Sequence, residues 1–165
     1  MKRTVGLGIQ DFDKLRESNY FYIDKTHFIK EWWESGDDVT LITRPRRFGK
    51  TLNMSMINQF FSVEYKDRGD LFKGLSIWEE EKYRKLQGTY PVIFLSFARV
   101  KQSDYLSIKQ RICRLIAEEY NKHWYLVESD VLKENEKKDF IEVTEKKINM
   151  SEEMATLAIS LGYNR

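Results

Sequence analysis

The segment that most restricts the fold of this chain is a basic turn, Arg44-Pro45-Arg46-Arg47-Phe48-Gly49-Lys50-Thr51, set between two runs of different period. Before it, Asp38-Val39-Thr40-Leu41-Ile42-Thr43 is β-branched and mostly apolar, the composition of a buried strand in a parallel sheet. After Gly49 the apolar residues switch to helical spacing, with Leu52, Met56 and Phe60 on one face and Ile57 and Phe61 widening it. The order strand, tight turn, helix brings successive backbone N–H groups to a helix N-terminus, where an anion is well held. Gly49-Lys50-Thr51 fits the second half of the pattern G-x-x-x-x-G-K-[ST], in which the lysine reaches phosphate oxygens and the hydroxyl meets magnesium. The first glycine is replaced by Arg44. A Gly-Lys-Ser/Thr triplet occurs by chance in roughly one chain in ten, so the strand and helix around it carry most of the weight.

The rest of the chain reads as alternating elements. Asn19 to Asp24 is a short aromatic strand, and Lys25 to Ser35 a helix carrying Phe28, Ile29, Trp32 and Trp33 and stopped by Gly36. Leu71, Phe72 and Leu75 form an apolar plug before a charged helix around Trp78 to Leu86. Pro91 to Phe97 is a second buried-strand candidate, its proline tolerated at the first position. Ser103 and Asp104 cap a helix with Tyr105, Ile108, Ile112, Leu115, Ile116 and Tyr120 at three-to-four spacing. Residues 128–150 are a charged helical or mobile segment anchored by Phe140, Ile141 and Val143, and a last helix opens at Ser151. The expected fold class is α/β, with strands 39–43 and 92–97 parallel in one sheet and the helices from Lys50 and Asp104 on its faces.

Composition sets limits on function. The 165 residues suffice for one domain with a real core. With 28 basic against 26 acidic residues the net charge is +2, so no strong field draws the molecule to nucleic acid, and anion binding must be local. No apolar run approaches the roughly 20 residues of a membrane span, and a cytoplasmic location is expected. Cys113 stands alone among Ile112, Leu115 and Ile116, which excludes an internal disulfide and reads as a buried thiol. His27 and His123 are too isolated to suggest a metal site and read as surface or packing residues.

Five blocks in order resemble the AAA-ATPase-like domain found at the N-terminus of bacterial proteins that often also carry a PD-(D/E)XK-nuclease-like domain. They are Gly8 to Arg16, Tyr22 to Thr26, Thr43 to Leu52, Leu71 to Leu75, and Tyr90 to Phe97. The resemblance covers nearly the whole chain, residues 1–165 being the N-terminal part of such a P-loop domain. It implies a P-loop NTPase-like parallel sheet flanked by helices. It also implies ATP as ligand with Mg2+, a nucleotide site of Arg46, Arg47, Phe48, Gly49, Lys50, Thr51 and Leu52, and Thr51 as the magnesium ligand. The family tolerates arginine where the first glycine usually stands. Arg46 and Arg47 are candidates for direct phosphate contact or, equally, for projection into solvent, whereas Phe48 reads as a packing residue. Nuclease activity is not carried over.

Members of this family place an apolar strand ending in acidic residues beyond the last helix seen here, and the chain stops at Arg165 without it. The domain is therefore read as truncated before its acidic (Walker B) strand. The chain alone is expected to bind ATP weakly, to show no hydrolysis above background, and to be prone to self-association through an unpaired sheet edge. Asp24, after Phe21-Tyr22-Ile23, is one acid in position to act on the magnesium side, although capping the following helix suits it better. Two competing readings remain. One is a non-enzymatic interaction module with a relic P-loop and an aromatic surface of Trp32, Trp33 and Trp124; the other is a nucleic-acid binder using Arg44, Arg46, Arg47 and Lys50, a small footprint in a near-neutral chain.

Overall fold

The computed structural model describes residues 4–98, 100–101 and 103–145. The chain divides into two compact units, Met1–Val92 and Ile93–Arg165. The helix expected from Ser151 lies outside the described residues.

The first unit is built on helices. They are α1 (Phe12–Glu17), α2 (His27–Ser35), α3 (Lys50–Phe61) and the single turn α4 (Glu81–Arg84), with 3-10 turns at Val63–Tyr65, Gly69–Phe72 and Ser76–Trp78. Gly36 ends α2 in the left-handed conformation, φ 65°, as its stop signal predicts. Phe12, Met56, Phe60 and Phe72 are fully buried, and their aromatic rings interlock: Phe12 stacks on Phe72 at 5.2 Å, while Phe60 meets Phe72 edge-on at 5.0 Å. The expected plug of Leu71, Phe72 and Leu75 is thus the floor of this core. Two polar clamps tie distant segments to it. Arg16 donates through Nε to the Leu71 carbonyl at 2.7 Å and through Nη2 to that of Lys73 at 2.8 Å. Asp24 and Thr26 bind the 3-10 turn at Ser76–Trp78 (see the candidate site).

The expected parallel sheet does not form. Among the described residues the β pairing is a single parallel bridge, Ser62 with Tyr90, at the end of α3. The Val63 N–H donates to the Tyr90 carbonyl and the Tyr90 N–H to that of Phe61, both at 2.9 Å. The reason is that a strand is not a local structure. A parallel ladder needs neighbours for its backbone groups and helices over both faces. Here the helices spend their apolar faces on one another, around Phe12, Phe60 and Phe72. The run 38–43 is left unpaired, with Val39 86% and Leu41 82% exposed. The aromatic strand expected at 19–24 is likewise absent: Phe21 and Ile23 point to solvent, while Tyr22 packs edge-on against Phe12. The α/β P-loop assignment is therefore corrected to a helical architecture.

The second unit contains α5 (Tyr105–Lys122), α6 (Tyr125–Glu128) and α7 (Glu134–Thr144). Asp104 caps α5, its Oδ1 accepting from the Ser107 N–H at 2.9 Å. The core joins Ile116 and Tyr120 of α5 to Phe140 and Val143 of α7, with Tyr120 and Phe140 rings 4.7 Å apart. The charged segment 128–150 therefore carries a packed helix. Cys113 is only partly buried, not sealed in as expected.

A buried carboxylate organises this unit, and no motif announced it. Glu119 accepts from the Phe94 N–H at 2.8 Å and pairs with Lys122 at 2.8 Å; the His123 Nε2 stands 3.8 Å away. Burial alone would raise its carboxyl, but the facing His123, the Lys122 ammonium and the Phe94 amide together hold it below its ordinary value of 4.5. A depressed carboxylate stabilises the fold above the unfolded value and loses that contribution as pH falls through the folded one. Glu119→Gln is accordingly expected to cost about 1 kcal/mol near pH 7. The deficit should be present above the unfolded value and shrink as the pH falls through the lower folded one, as read by urea unfolding of both proteins at pH 7 and pH 3. An equal deficit at both values would count against the charged role.

Candidate functional site

The basic turn leads straight into α3, whose N-cap is Gly49 at φ 74°, ψ 17°. That conformation favours glycine, and Gly49 brings no side chain to cap the helix. The first N–H groups of a helix have no acceptor within it, so those opening α3 face outward with the positive end of the helix dipole behind them. Arg47 is also left-handed, at φ 72°, which costs a non-glycine residue of order 1–2 kcal/mol. Left-handed residues on either side of Phe48 curl the turn tightly. Lys50 closes it, its ammonium donating back to the carbonyl of Arg44.

A cavity of about 410 Å³ opens beside this turn, a size suited to a small organic ligand. One wall is the turn with the start of α3: Ile42, Arg44, Phe48, Lys50 and Asn53. The other is α2 and the residues leading into it: Lys25, His27, Phe28 and Glu31. Among the described residues of the lining, Lys25, Arg44 and Lys50 stand with one carboxylate, Glu31. The lining thus favours an anion while keeping an apolar component in Phe28, Ile42 and Phe48.

The α2 wall is held by a polar lock. Asp24 Oδ1 accepts from the Thr26 N–H at 2.8 Å and from its hydroxyl at 2.7 Å, and Oδ2 accepts from the Ser76 N–H at 2.7 Å. The fully buried Thr26 hydroxyl also accepts from the Ile77 N–H at 3.2 Å and lies 3.0 Å from the Ser76 hydroxyl. Burial works to raise the Asp24 carboxyl, but these donors outweigh it and hold it below its usual range. Both Asp24 oxygens serve the fold. The acid considered for magnesium is an anchor for the start of α2.

Of the seven residues expected at the nucleotide site, Phe48 and Lys50 line the cavity. Gly49 shapes the turn, Arg46, Arg47 and Thr51 are not among the lining residues, and Leu52 packs on the core. Phe48 is not the packing residue its type suggested: its surface is 60% exposed. The α2 wall was missed altogether, although a signal exists. His27 and Glu31 lie four apart and Phe28 and Glu31 three apart, which sets Glu31 beside both on the helix surface, Phe28 also packing on the core. Trp32 and Trp33 both contact the Phe61 ring, at 5.6 and 5.4 Å, so much of the aromatic surface imagined for a partner is engaged in packing. Among the described residues no three His, Cys, Asp or Glu side chains gather as a metal site, and no helix is long and apolar enough to cross a membrane.

A glycine-capped helix start with a lysine folded over its own basic turn, beside an anion-favouring cavity, suits a phosphate-bearing ligand. The chain belongs to the AAA-ATPase-like family of predicted AAA-ATPases, whose model matches residues 6–159. It is similar to an uncharacterized protein from the vnfD 5′ region of Azotobacter chroococcum mcd 1, 31% identical over 116 residues, which make up 70% of this chain and 21% of that protein. The chain spans about a fifth of the length of this curated relative. No solved structure matches it.

Proposed function

We propose that the chain binds ATP through the basic turn and the N-terminus of α3. The observation that carries this reading is the cavity wall formed by Arg44, Phe48 and Lys50 directly before and at the start of α3, whose N-cap Gly49 makes no side-chain hydrogen bond. Phosphate oxygens would take the outward N–H groups and the Lys50 ammonium, which exchanges its bond to the Arg44 carbonyl for a charge-assisted one. Membership of a family of predicted AAA-ATPases agrees with that ligand. Thr51, on the first turn of α3, offers a hydroxyl to a magnesium ion that arrives with the nucleotide. The ion is read as one that the phosphates bring with them. The reading is binding, with no hydrolytic step assigned to these residues.

Calorimetric titration tests it. ATP with magnesium is expected to saturate one site, while adenosine gives no measurable heat and added salt weakens the ATP isotherm. Failure of ATP to saturate would overturn the reading. Thr51→Ala should weaken ATP several-fold with magnesium present and leave metal-free binding unchanged; equal losses in both conditions would remove Thr51 from the metal.

A further inference from the structure

The cavity has a second wall, which sets a carboxylate, Glu31, and the ring of Phe28 beside Lys25 and His27. We infer that the α2 wall, through Phe28 and Glu31, holds the nucleoside half of the ligand, so that the site recognises a whole nucleotide and not a polyphosphate alone. This inference rests on the nucleotide reading above and deepens it.

Three observations lead to it. Among the described residues Glu31 is the one carboxylate in the lining. A carboxylate repels phosphate oxygens and accepts only N–H and O–H donors, so its natural counterpart is a hydrogen-bond donor of the nucleoside: a ribose hydroxyl or the exocyclic amine. It sits on α2, whereas Arg44 and Lys50 belong to the turn and the start of α3, where the phosphates are best held. Secondly, an aromatic ring lines the cavity from each wall, Phe28 on α2 and Phe48 on the turn. The core phenylalanines Phe12, Phe60 and Phe72 have no exposure, whereas Phe48 is 60% exposed and Phe28 only part-buried. Phe48, and the part of Phe28 that the core leaves uncovered, have surface to gain by stacking on a planar base, an interaction of about 1–3 kcal/mol per base. Thirdly, α2 is not free to drift. The lock of Asp24 and Thr26 on Ser76 and Ile77 fixes the residues immediately before Phe28, which preorganises this wall.

The inference separates from the phosphate reading by comparing ATP with inorganic tripolyphosphate. Glu31→Gln keeps size and removes the charge at an exposed position; Phe28→Leu keeps an apolar side chain against the core and removes the ring. Each is expected to weaken ATP about 10-fold while leaving tripolyphosphate binding unchanged, or tightened slightly for Glu31→Gln as a repulsion is relieved. In the unmutated protein, 2′,3′-dideoxyATP and purine riboside triphosphate, which lacks the amine, distinguish the two donors. The one whose loss weakens binding should be the one that becomes insensitive to Glu31→Gln. If both variants bind ATP as well as the parent, or lose ATP and tripolyphosphate equally, the α2 wall does not read the nucleoside and the inference falls, with the phosphate reading intact. If the parent binds neither ligand, both fall.

Discussion

Lys50→Ala is expected to weaken ATP binding at least 100-fold, about 2.7 kcal/mol, with the thermal midpoint unchanged within a degree or two. Two features of the turn give this asymmetry. The ammonium is the cation of the lining that sits on α3 itself, so its charge adds to that of the outward N–H groups at the helix start. Among the described residues its hydrogen bond is to the carbonyl of Arg44, an exposed residue whose oxygen can turn to water when the lysine goes. Alanine is a better helix former than lysine, so α3 keeps its first turn. Lys50→Arg keeps the charge but replaces a compact ammonium by a planar fork that cannot pack into the same curl, and should recover only part of the affinity. Calorimetry gives the affinities and differential scanning fluorimetry the midpoints. A Lys50→Ala protein that binds ATP like the parent would remove the turn from the site.

What the sequence could disclose depended on how local the structure was. The helices α2, α3 and α5 were legible because period, cap and stop lie within each segment: Gly36 ends α2, and Asp104 opens α5. The turn was legible for the same reason, since Gly49 and Lys50 act within one helical turn of each other. The sheet was misread because the composition of 38–43 and 91–97 records a capacity for pairing, while pairing itself depends on partners far away in the chain. The cavity was half legible. Its turn wall lies in one motif, but its α2 wall exists only because the lock at Thr26 carries α2 against residues 76 and 77, some 50 positions on. The resemblance blocks gain a physical meaning here. Arg16 of the first block binds the carbonyls of Leu71 and Lys73 in the fourth, and the second block, ending at Thr26, binds the turn that begins one residue after Leu75. Separate stretches of sequence are mutual hydrogen-bond partners, a relation that no reading along the chain displays.

The same lock yields the largest expected loss of stability. Thr26→Val nearly preserves shape, since valine replaces the hydroxyl by a methyl at a position with no exposure. It removes the acceptor of the buried Ile77 N–H, the donor to Asp24 and the contact with the Ser76 hydroxyl in one step. A buried polar group left without its partner costs about 1–3 kcal/mol, and here the Ile77 N–H and the Asp24 carboxylate both lose one. A total of about 3 kcal/mol is expected, which for a unit of this size lowers the midpoint by roughly 15 °C. Thr26→Ser retains the hydroxyl and gives up one methyl, so its cost should stay near 1 kcal/mol. The pair separates hydrogen bonding from packing: if valine were tolerated and serine not, the lock would be apolar and its polar geometry incidental. A second readout ties the lock to the site. At a temperature where Thr26→Val is still folded, ATP should bind several-fold more weakly because Phe28 and Glu31 are no longer held in place, while tripolyphosphate, which needs only the turn and the start of α3, should bind as before.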